Sequence, residues 1–452
     1  MLKPSEAQDR ADALISQAKK AGADAADAIY VCDAATQVQM RLGNLEDVER
    51  SEGEEIGLRV FVGKRSATVS SSDMDPQILS ALVGRALDMA REAPEDQYAG
   101  LAPEELLLKT EPHPIEADDG RNPDPELLRE MALKAEDAAR SVKGVANSEG
   151  GGASAGRSIV ALATSHGFSG AYSTSGYSVS ASVIAGEGGG MERDYAYDSV
   201  RFLEDLESPE NIGREAGERA VSRLNPVSFK SGAMPVVYDP RVGNSLLGHL
   251  VGAISGSAIA RKTSFLLDAL DTEIFDSAIT VIDCPHRKRG LRSKAFDGEG
   301  LPTTKTRLID NGRLTQWIME SASARQLGLQ PTGHASRGVG GAPGVSVTNL
   351  HMGNGTISKT DLIGNVRHGV YITELIGMGV NPVTGDYSRG ASGFLITDGV
   401  IGAPVSEITI AGNLKDMFRS LVAADDLEYR YSVNVPTLRT DSMTVAGGEQ
   451  IR

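Results

Sequence analysis

A helix-start signal occurs four times along the chain and divides it into segments. In each case a residue that can cap a helix is followed by proline: Asp75-Pro76, Asp124-Pro125, Ser208-Pro209 and Asp239-Pro240. The Asp or Ser oxygen can accept a hydrogen bond from a free amide of the first turn, and proline at the first helical position gives up an N–H that has no partner there. Apolar residues then recur at helical spacing after each signal. The sequence therefore predicts four amphipathic helices that begin at these points.

Stretches with the pattern of β-strands lie between the helix starts. Apolar residues alternate from 56 to 62, and residues 63–65 turn the chain into a further strand. Residues 157–200 predict long, Ser/Gly-rich antiparallel strands around a turn at His166-Gly167. Beyond residue 225 the pattern predicts one helix after Asn413 and short strands near 280–284, 343–349, 368–375, 392–397 and 405–410. Because helices and strands do not alternate regularly as βαβ units, the pattern favours an α+β fold over a Rossmann or TIM architecture.

These elements predict an N-terminal mixed region of helix and antiparallel sheet followed by a β-rich C-terminal domain. The predicted boundaries are an N-terminal α/β domain at 1–92, a proline-spaced linker at 93–123, a central α+β domain at 124–224 and the C-terminal domain at 225–452. No internal sequence repeat is found. A chain of 452 residues is long enough to bury a full core without help from a disulfide or a metal.

Charge and cysteine content exclude several classes of protein. The net charge is −16, and residues 1–120 alone contribute −12, which disfavours non-specific binding to phosphate backbones. The two cysteines, Cys32 and Cys284, are too few for a disulfide framework or a zinc ribbon and fit a reducing cytosol. The N-terminus has no apolar leader, and the longest weakly polar run, residues 246–260, is too short to span a bilayer. We therefore expect a cytoplasmic protein with no nucleic-acid or membrane partner.

Residues from Arg287 to Lys294 include five cations: Arg287, Lys288, Arg289, Arg292 and Lys294. Two interpretations stay open for this basic stretch. It is either a solvated hairpin or a segment that docks onto an acidic surface or peptide. The seven histidines offer no further site, since no two have the spacing of metal ligands on one helix face.

The helix after Asp239 is predicted to cover residues 240–258, and it carries an unusual face. Gly248, Gly252, Ser255 and Gly256 fall together on the side opposite the apolar residues. Glycine inside a helix costs about 1 kcal/mol relative to alanine, so two of them need a compensating reason. Either another backbone approaches this face closely or the face is relaxed and exposed.

Several long segments resemble the TldD/PmbA family, and more closely its PmbA (TldE) branch. They are Phe296-Asp297-Gly298-Glu299-Gly300, Gly333-His334-Ala335, the run from Asn381 to Phe394 and the run from Pro404 to Leu414. The resemblance covers essentially the whole chain. It implies a cytoplasmic two-subunit protease that trims or degrades unfolded peptides, with the maturation of modified peptide antibiotics as one described role. The family's name as a modulator of gyrase is a historical label.

The resemblance also distinguishes the two branches at the helix after Asp239. The TldD subunit carries His-Glu-x-x-x-His there and a zinc-binding cysteine near its C-terminus. This chain has Gly248, His249 and Ala253 at the His, Glu and His positions, and no cysteine follows Cys284. The resemblance therefore implies no catalytic residue, no metal ligand and no cofactor in this chain, with zinc held by a TldD-type catalytic partner. Alone, the chain is expected to be capable of forming a homodimer.

We therefore predict a non-catalytic subunit that contacts the peptide or the partner. The glycine face, with Gly252 and Gly256, is expected to occupy the cleft that holds zinc in the partner. The candidate contact residues on the later segment are Asp386, Tyr387, Ser388 and Arg389. An extended substrate is expected to add as a strand to a sheet edge. This mode of binding recognises the peptide backbone and tolerates many sequences. Two alternatives stay open: an independently active metallopeptidase with unrecognised ligands, and a binding module that acts on a nucleic-acid enzyme such as gyrase.

Overall fold

The computed structural model describes residues 2–447, and its first half is built on one six-stranded antiparallel sheet of order β3-β2-β1-β4-β5-β6. Its elements in chain order are α1 (Pro4–Lys20), β1 (Ala25–Arg41), β2 (Asn44–Val62), β3 (Arg65–Ser71), α2 (Pro76–Glu92), α3 (Pro125–Arg140), β4 (Val145–Thr164), β5 (Ser169–Ala185), β6 (Glu192–Val200) and α4 (Pro209–Ser222). β1 pairs with β4 from Asp27 to Met40. The sheet therefore runs through both regions that the sequence divides into an N-terminal and a central domain.

The order of these elements repeats, although the sequence shows no repeat. α1 to α2 and α3 to α4 each follow the order helix, three strands, helix. The second, third and fourth of these helices begin at the predicted prolines. Asp75, Asp124 and Ser208 each accept a hydrogen bond from a backbone amide of the first turn, so the predicted caps are confirmed.

Both helix pairs cover one face of the sheet. On β1, Tyr30 packs in the cluster that includes α1 and α2, and Met40 packs in the cluster that includes α3 and α4. Tyr30 and Met40 are an even number of positions apart on the strand, so their side chains point to the same face. Ile29 points to the opposite face, where residues of the 93–123 segment and of the C-terminal domain cover it. The proline-spaced segment is thus packed between the sheet and the C-terminal domain, and it contains a short 3₁₀ turn at Glu104–Leu106.

The C-terminal half contains a closed barrel and a second sheet. The barrel runs in the order β16-β15-β14-β7-β19, with β17 beyond β19, and a pairing between β16 and β19 closes it. The second sheet has the order β10-β9-β8-β13-β18. The elements are β7 (Gly232–Tyr238), α5 (Pro240–Ala253), α6 (Gly256–Ala260), β8 (Val281–Asp283), β9 (Thr306–Asp310), β10 (Arg313–Leu314), α7 (Ser321–Leu327), β11 (Ala335–Ser336), β12 (Gly344–Val345), β13 (Leu350–Met352), α8 (Lys359–Gly364), β14 (His368–Ile376), β15 (Asp386–Thr397), β16 (Val400–Asn413), α9 (Leu414–Arg419), β17 (Val422–Ala423), β18 (Val433–Asn434) and β19 (Leu438–Ala446).

The fold is α+β, as the sequence predicts, and the C-terminal elements that the pattern predicts have counterparts in the structure, whereas the pattern misses others, including α7, α8 and β19. Strands β8 and β14 match the predicted strands at 280–284 and 368–375, and α9 follows Asn413, whose side chain caps it. The strands predicted at 392–397 and 405–410 are parts of the longer strands β15 and β16. Near 343–349 only Gly344–Val345 forms a strand. Within residues 2–447, no helix is both long enough and apolar enough to cross a membrane.

The prediction of a single helix over 240–258 is wrong at its C-terminal end. α5 ends at Ala253, and α6 begins at Gly256. The chain leaves the helix because it pairs with a distant segment: the Ile318 amide donates to the Ile254 carbonyl at 3.0 Å, and the Gly256 amide donates to the Ile318 carbonyl at 2.8 Å. The four small residues of the predicted face are therefore divided between two helices.

Candidate functional site

Helix α5 presents an open face beside the barrel. Its apolar side, including Leu246 and Leu250, is buried in the C-terminal core. Gly248 and Gly252 lie on the exposed side, and a methyl group added to either would meet no atom within 4 Å. The structure therefore favours the relaxed, exposed interpretation of these two glycines within this chain. The same exposure leaves the face accessible to another molecule.

Gly256 is different from the two glycines of α5. It is buried, and a methyl group there would lie 2.4 Å from the Ser323 hydroxyl oxygen of α7. Close packing of α6 against α7 explains this glycine. The sequence prediction that Gly256 shares an accessible face with Gly252 is therefore wrong, because the chain turns between the two helices.

The structure brings His249 of α5 against Tyr387 of β15. Their ring centroids are 5.9 Å apart and the rings meet edge to face, at 81°. The Nε2 atom of His249 and the hydroxyl of Tyr387 are both buried, and neither has a hydrogen-bond partner in the described part of the chain. Burial and the positive charge of Arg389 lower the pKa of His249, so the imidazole is neutral at pH 7. Burial raises the pKa of Tyr387 to about 12.

Side chains alternate along the start of β15, and this separates the four candidate residues into two groups. Tyr387 and Arg389 are buried on the face toward α5, whereas Asp386 and Ser388 are exposed. The Asp386 carboxylate accepts hydrogen bonds from the Thr384 hydroxyl at 2.6 Å and the Asn413 side-chain amide at 3.0 Å, and these bonds lower its pKa. Asp386 therefore holds the turn that precedes β15. Of the predicted residues, the structure brings together His249, Tyr387 and Arg389.

A cleft of about 350 Å³ lies next to this group, between α5, the C-terminal end of β14 and strand β6. We call it the α5–β14 cleft. Its lining residues are Arg193, Asp194, Tyr195, Arg241, Val242, Asn244, Ser245, Thr373, Glu374, Leu375 and Arg389. Sequence reasoning missed all of these except Arg389. A helical pattern could have found two of them, since Arg241 and Ser245 precede Gly248 and Gly252 at helical spacing.

Ion pairs tie the walls of the cleft together across the two halves of the protein. Arg241 of α5 holds Asp194 of β6 through two hydrogen bonds of 2.8 and 3.0 Å. Arg223, which follows α4, pairs with Glu374 of β14 at 2.6 Å. These contacts keep Asp194 ionised, because the Arg241 guanidinium holds the pKa of this carboxyl below its usual value despite its burial. At the cleft, these ion pairs therefore join α5 and β14 to the central region.

The basic stretch docks onto acidic residues of this same chain. Arg289 pairs with Glu204 and Asp205, each at 2.9 Å, and Lys288 pairs with Glu116. These contacts pair two of the five cations within the chain, but the Lys288 side chain stays 69% exposed, so this part of the stretch is solvated as well as paired. The acidic partner is the central region and the segment before it. A larger cleft of about 620 Å³ lies beside the docked stretch.

The residues at the position of the family's zinc helix do not fit a zinc ion. Gly248 and Ala253 have no donor atom, and Ala253 is buried with 4% of its surface exposed. His249 offers one nitrogen, but it lies beside the Arg389 cation, which opposes a divalent ion. Among residues 2–447, no group of three His, Cys, Asp or Glu side chains is arranged to hold a metal. We derive no chemical step through zinc in this chain, and its lack of a zinc site stays a prediction.

The motif Phe296–Gly300 lies at the interface between the two halves. Phe296 packs edge to face on Phe168, with ring centroids 4.9 Å apart. Gly300 approaches Phe168 so closely that an added methyl group would lie 2.4 Å from its ring. This family-like motif therefore has a packing role between the sheet and the C-terminal domain.

Comparisons with known proteins agree with this architecture. Family models of the PmbA/TldA metallopeptidases match domain 1 at residues 26–90, the central domain at 118–224 and the C-terminal domain at 231–447. The chain is 39% identical over 417 residues to the metalloprotease PmbA of Escherichia coli O157:H7, which covers 91% of this chain and 89% of that protein.

Two crystal structures share the fold over nearly the whole chain. A protein from Bacteroides thetaiotaomicron, described as a modulator of DNA gyrase, superposes with a TM-score of 0.89 at 27% identity and covers 98% of this chain and 99% of its own. TldE from Thermococcus kodakarensis has a TM-score of 0.84 at 22% identity and covers 97% of this chain and 100% of its own.

The three matched stretches and the shared fold define a protein of metallopeptidase type, with three consecutive domains. The chain belongs to the PmbA/TldD family, and its full-length similarity is to PmbA.

Proposed function

We propose that this chain is the non-catalytic subunit of a TldD/TldE-type metalloprotease that trims or degrades unfolded or modified peptides in the cytoplasm. One observation supports this above all: α5 keeps an open cleft beside it but carries Gly248, His249 and Ala253 where the catalytic branch has its zinc helix. Catalytic zinc needs three protein ligands and an activated water. A TldD-type partner would supply both.

The physical basis of such a pair is division of labour. Zinc chemistry needs one dry, shaped site, whereas an extended peptide needs a groove longer than a single cleft. A paralogue with the same fold can provide a second wall and is then free to lose its own ligands. The accessible face at Gly248 and Gly252 is suited to that role. Cys32 and Cys284 are both free thiols, which supports a reducing compartment.

The test is a titration of peptidase rate against added chain at a fixed amount of a TldD-type subunit. We expect the rate to rise and to saturate near one added chain per catalytic subunit. This chain alone should hydrolyse no unfolded peptide. A rate that does not depend on the added chain would refute the proposal.

Elemental analysis separates this proposal from an independently active peptidase. We expect the purified chain to hold no stoichiometric zinc. About one tightly held zinc per chain, together with activity that a chelator removes, would establish the independent enzyme instead. Salt-sensitive DNA binding would favour the alternative of a module that acts on a nucleic-acid enzyme.

A further inference from the structure

Arg389 is a buried cation without an anion. Only 9% of its surface is exposed, and in the described part of the chain it forms no salt bridge. Its one hydrogen bond runs from Nε to the Ile376 carbonyl at 3.3 Å, which leaves the two terminal nitrogens without a protein acceptor among residues 2–447. The side chain as a whole is buried, but its terminal nitrogens are not among the fully buried unpaired atoms of the described residues and so open onto the cleft. These nitrogens therefore lack an acceptor among the described residues, and a bound molecule could supply one.

Two other buried arginines of this protein have acceptors for the hydrogen bonds of their guanidinium groups. Arg241 holds a carboxylate with two hydrogen bonds. Arg325 donates to three backbone carbonyls, each 2.8 or 2.9 Å away. Arg389 has neither arrangement, and it lines the α5–β14 cleft.

The charges of the cleft select an anion of single charge. Each other charged lining group has an opposite partner: Arg241 pairs with Asp194, Arg193 with Glu149 and Glu374 with Arg223. The neighbouring His249 is neutral at pH 7. Arg389 is the one lining charge, among the described residues, that stays uncompensated. A planar guanidinium with two free terminal nitrogens matches a carboxylate, which it can bind through two parallel hydrogen bonds.

The cleft also offers a strand edge to a peptide backbone. β14 pairs with β7 only over Val370–Ile372, while its pairing with β15 continues to Ile376. Residues 374–376 therefore have a neighbouring strand on one side only within the described structure. An extended peptide can add to such an edge through main-chain hydrogen bonds. This edge lies in the same cleft as Arg389.

We infer that the α5–β14 cleft binds an extended peptide through its carboxylate, with Arg389 as the carboxylate anchor and the edge of β14 as the backbone guide. The inference rests on the proposed role of this chain in handling peptides, and it adds the chemical group that this subunit recognises. The carboxylate is either the peptide's C-terminus or an acidic side chain, which share the same chemistry at Arg389.

The experiment measures binding of fluorescent unstructured peptides to the full-length chain by anisotropy. One peptide of Gly, Ala and Ser has a free C-terminus, a second has a C-terminal amide, and a third has the amide and one internal Glu. We expect the free acid to bind at least about tenfold more tightly than the neutral amide, as for a charge-assisted hydrogen-bonded pair. The third peptide shows whether a side-chain carboxylate substitutes for the terminus.

The variant Arg389→Gln should remove the preference for the acid, and Arg389→Lys should keep only part of it, because lysine cannot make the bidentate contact. Arg193→Gln is the matched control, since it removes one positive charge from the same cleft and should keep the preference. The wild-type comparison of acid with amide needs no variant and so does not depend on the folding of Arg389→Gln.

Equal binding of the acid and the amide to the wild type would overturn the inference and leave the proposed subunit role standing. A preference that persists in Arg389→Gln would also overturn it, because another group would then be the anchor. If neither peptide binds this chain, alone or with a TldD-type partner, the carboxylate site and the peptide-handling role fail together.

Discussion

Two carboxyl groups of the motif Phe296–Gly300, those of Asp297 and Glu299, are buried and form no salt bridge among residues 2–447. Burial raises the pKa of Asp297 to about 6 and that of Glu299 to about 7. Glu299 accepts hydrogen bonds from the backbone amide and the hydroxyl of Ser321, at 2.9 and 2.7 Å, but these do not offset the loss of water. Because an unfolded Glu titrates near 4.5, the folded protein keeps a proton on Glu299 over a range in which the unfolded chain has lost it. The ionised carboxylate therefore destabilises the fold progressively as the pH rises through that range.

Glu299→Gln should remove this penalty, because the amide imitates the protonated carboxyl. We expect the variant to gain on the order of 1–3 kcal/mol in the free energy of unfolding at pH 8 relative to the wild type, and little at pH 4.5. Urea unfolding of both proteins at several pH values measures the difference. Glu187→Gln, at an exposed position, is the control and should change little at any pH. An equal effect of Glu299→Gln at both pH values would contradict the prediction.

At the level of single residues, the sequence identified part of the candidate site. His249 was identified from its place in the zinc-helix pattern. Tyr387 and Arg389 were identified from the family-like run that starts at Asn381. Their contact across α5 and β15 depends on packing between elements that lie 138 positions apart, counted from His249 to Tyr387, and no periodicity encodes it. The unpaired state of Arg389 is likewise a property of the assembled cleft.

At the level of elements, Gly252 and Gly256 lie in different environments, so we predict stability changes of opposite sign when each is substituted. Position 252 has room for a side chain, and leucine is the better helix former by up to about 0.8 kcal/mol, so the isolated Gly252→Leu chain should be slightly more stable. Gly256→Ala should destabilise the chain by roughly 1–3 kcal/mol, because its methyl group would overlap the Ser323 side chain. Thermal unfolding of the two variants tests both signs.

Gly252→Leu has a second expected effect, on association. The new side chain projects from the exposed face of α5, so it should abolish binding to the partner subunit or the peptide while the fold stays intact. Co-purification with a TldD-type subunit and the peptidase titration measure this. If the variant pairs and supports proteolysis like the wild type, that face of α5 is merely exposed and has no part in association.

Local chemistry explains which elements the sequence could predict. Helix starts depend on a capping residue and a proline that are adjacent in the chain. The sequence therefore predicts the four starts directly, at Asp75, Asp124, Ser208 and Asp239. The end of α5 depends on the pairing of Ile254 with Ile318, which are far apart in sequence. Strand β15 is longer than predicted because its pairing with β16 extends to Asp386, well beyond the apolar run. The repeated order of helix, three strands and helix is a property of the folded elements, and the sequence shows no matching repeat.

At the level of the whole molecule, a buried cluster of charges joins the two halves. Asp27 of β1 accepts hydrogen bonds from Arg59 of β2 at 2.6 Å and from Arg337 of the C-terminal domain at 3.1 Å. Asp27 and Arg337 are 310 positions apart in the chain, so no local sequence pattern could indicate their pairing. All three side chains are almost fully buried, so this single carboxylate is the shared counter-charge of two buried cations.

Asp27→Asn should therefore weaken the fold more than the loss of one surface charge would. Removing the shared anion leaves two buried guanidinium groups without a counter-charge, and a broken buried ion pair costs about 3–5 kcal/mol. We expect a lower urea midpoint and a split of the unfolding curve, since the contact holds the six-stranded sheet to the C-terminal domain. Asp33→Asn, at an exposed position on the same strand, is the matched control and should unfold like the wild type. An Asp27→Asn variant that unfolds in one transition at the wild-type midpoint would show that apolar packing around Phe296 holds the two halves together without this charge cluster.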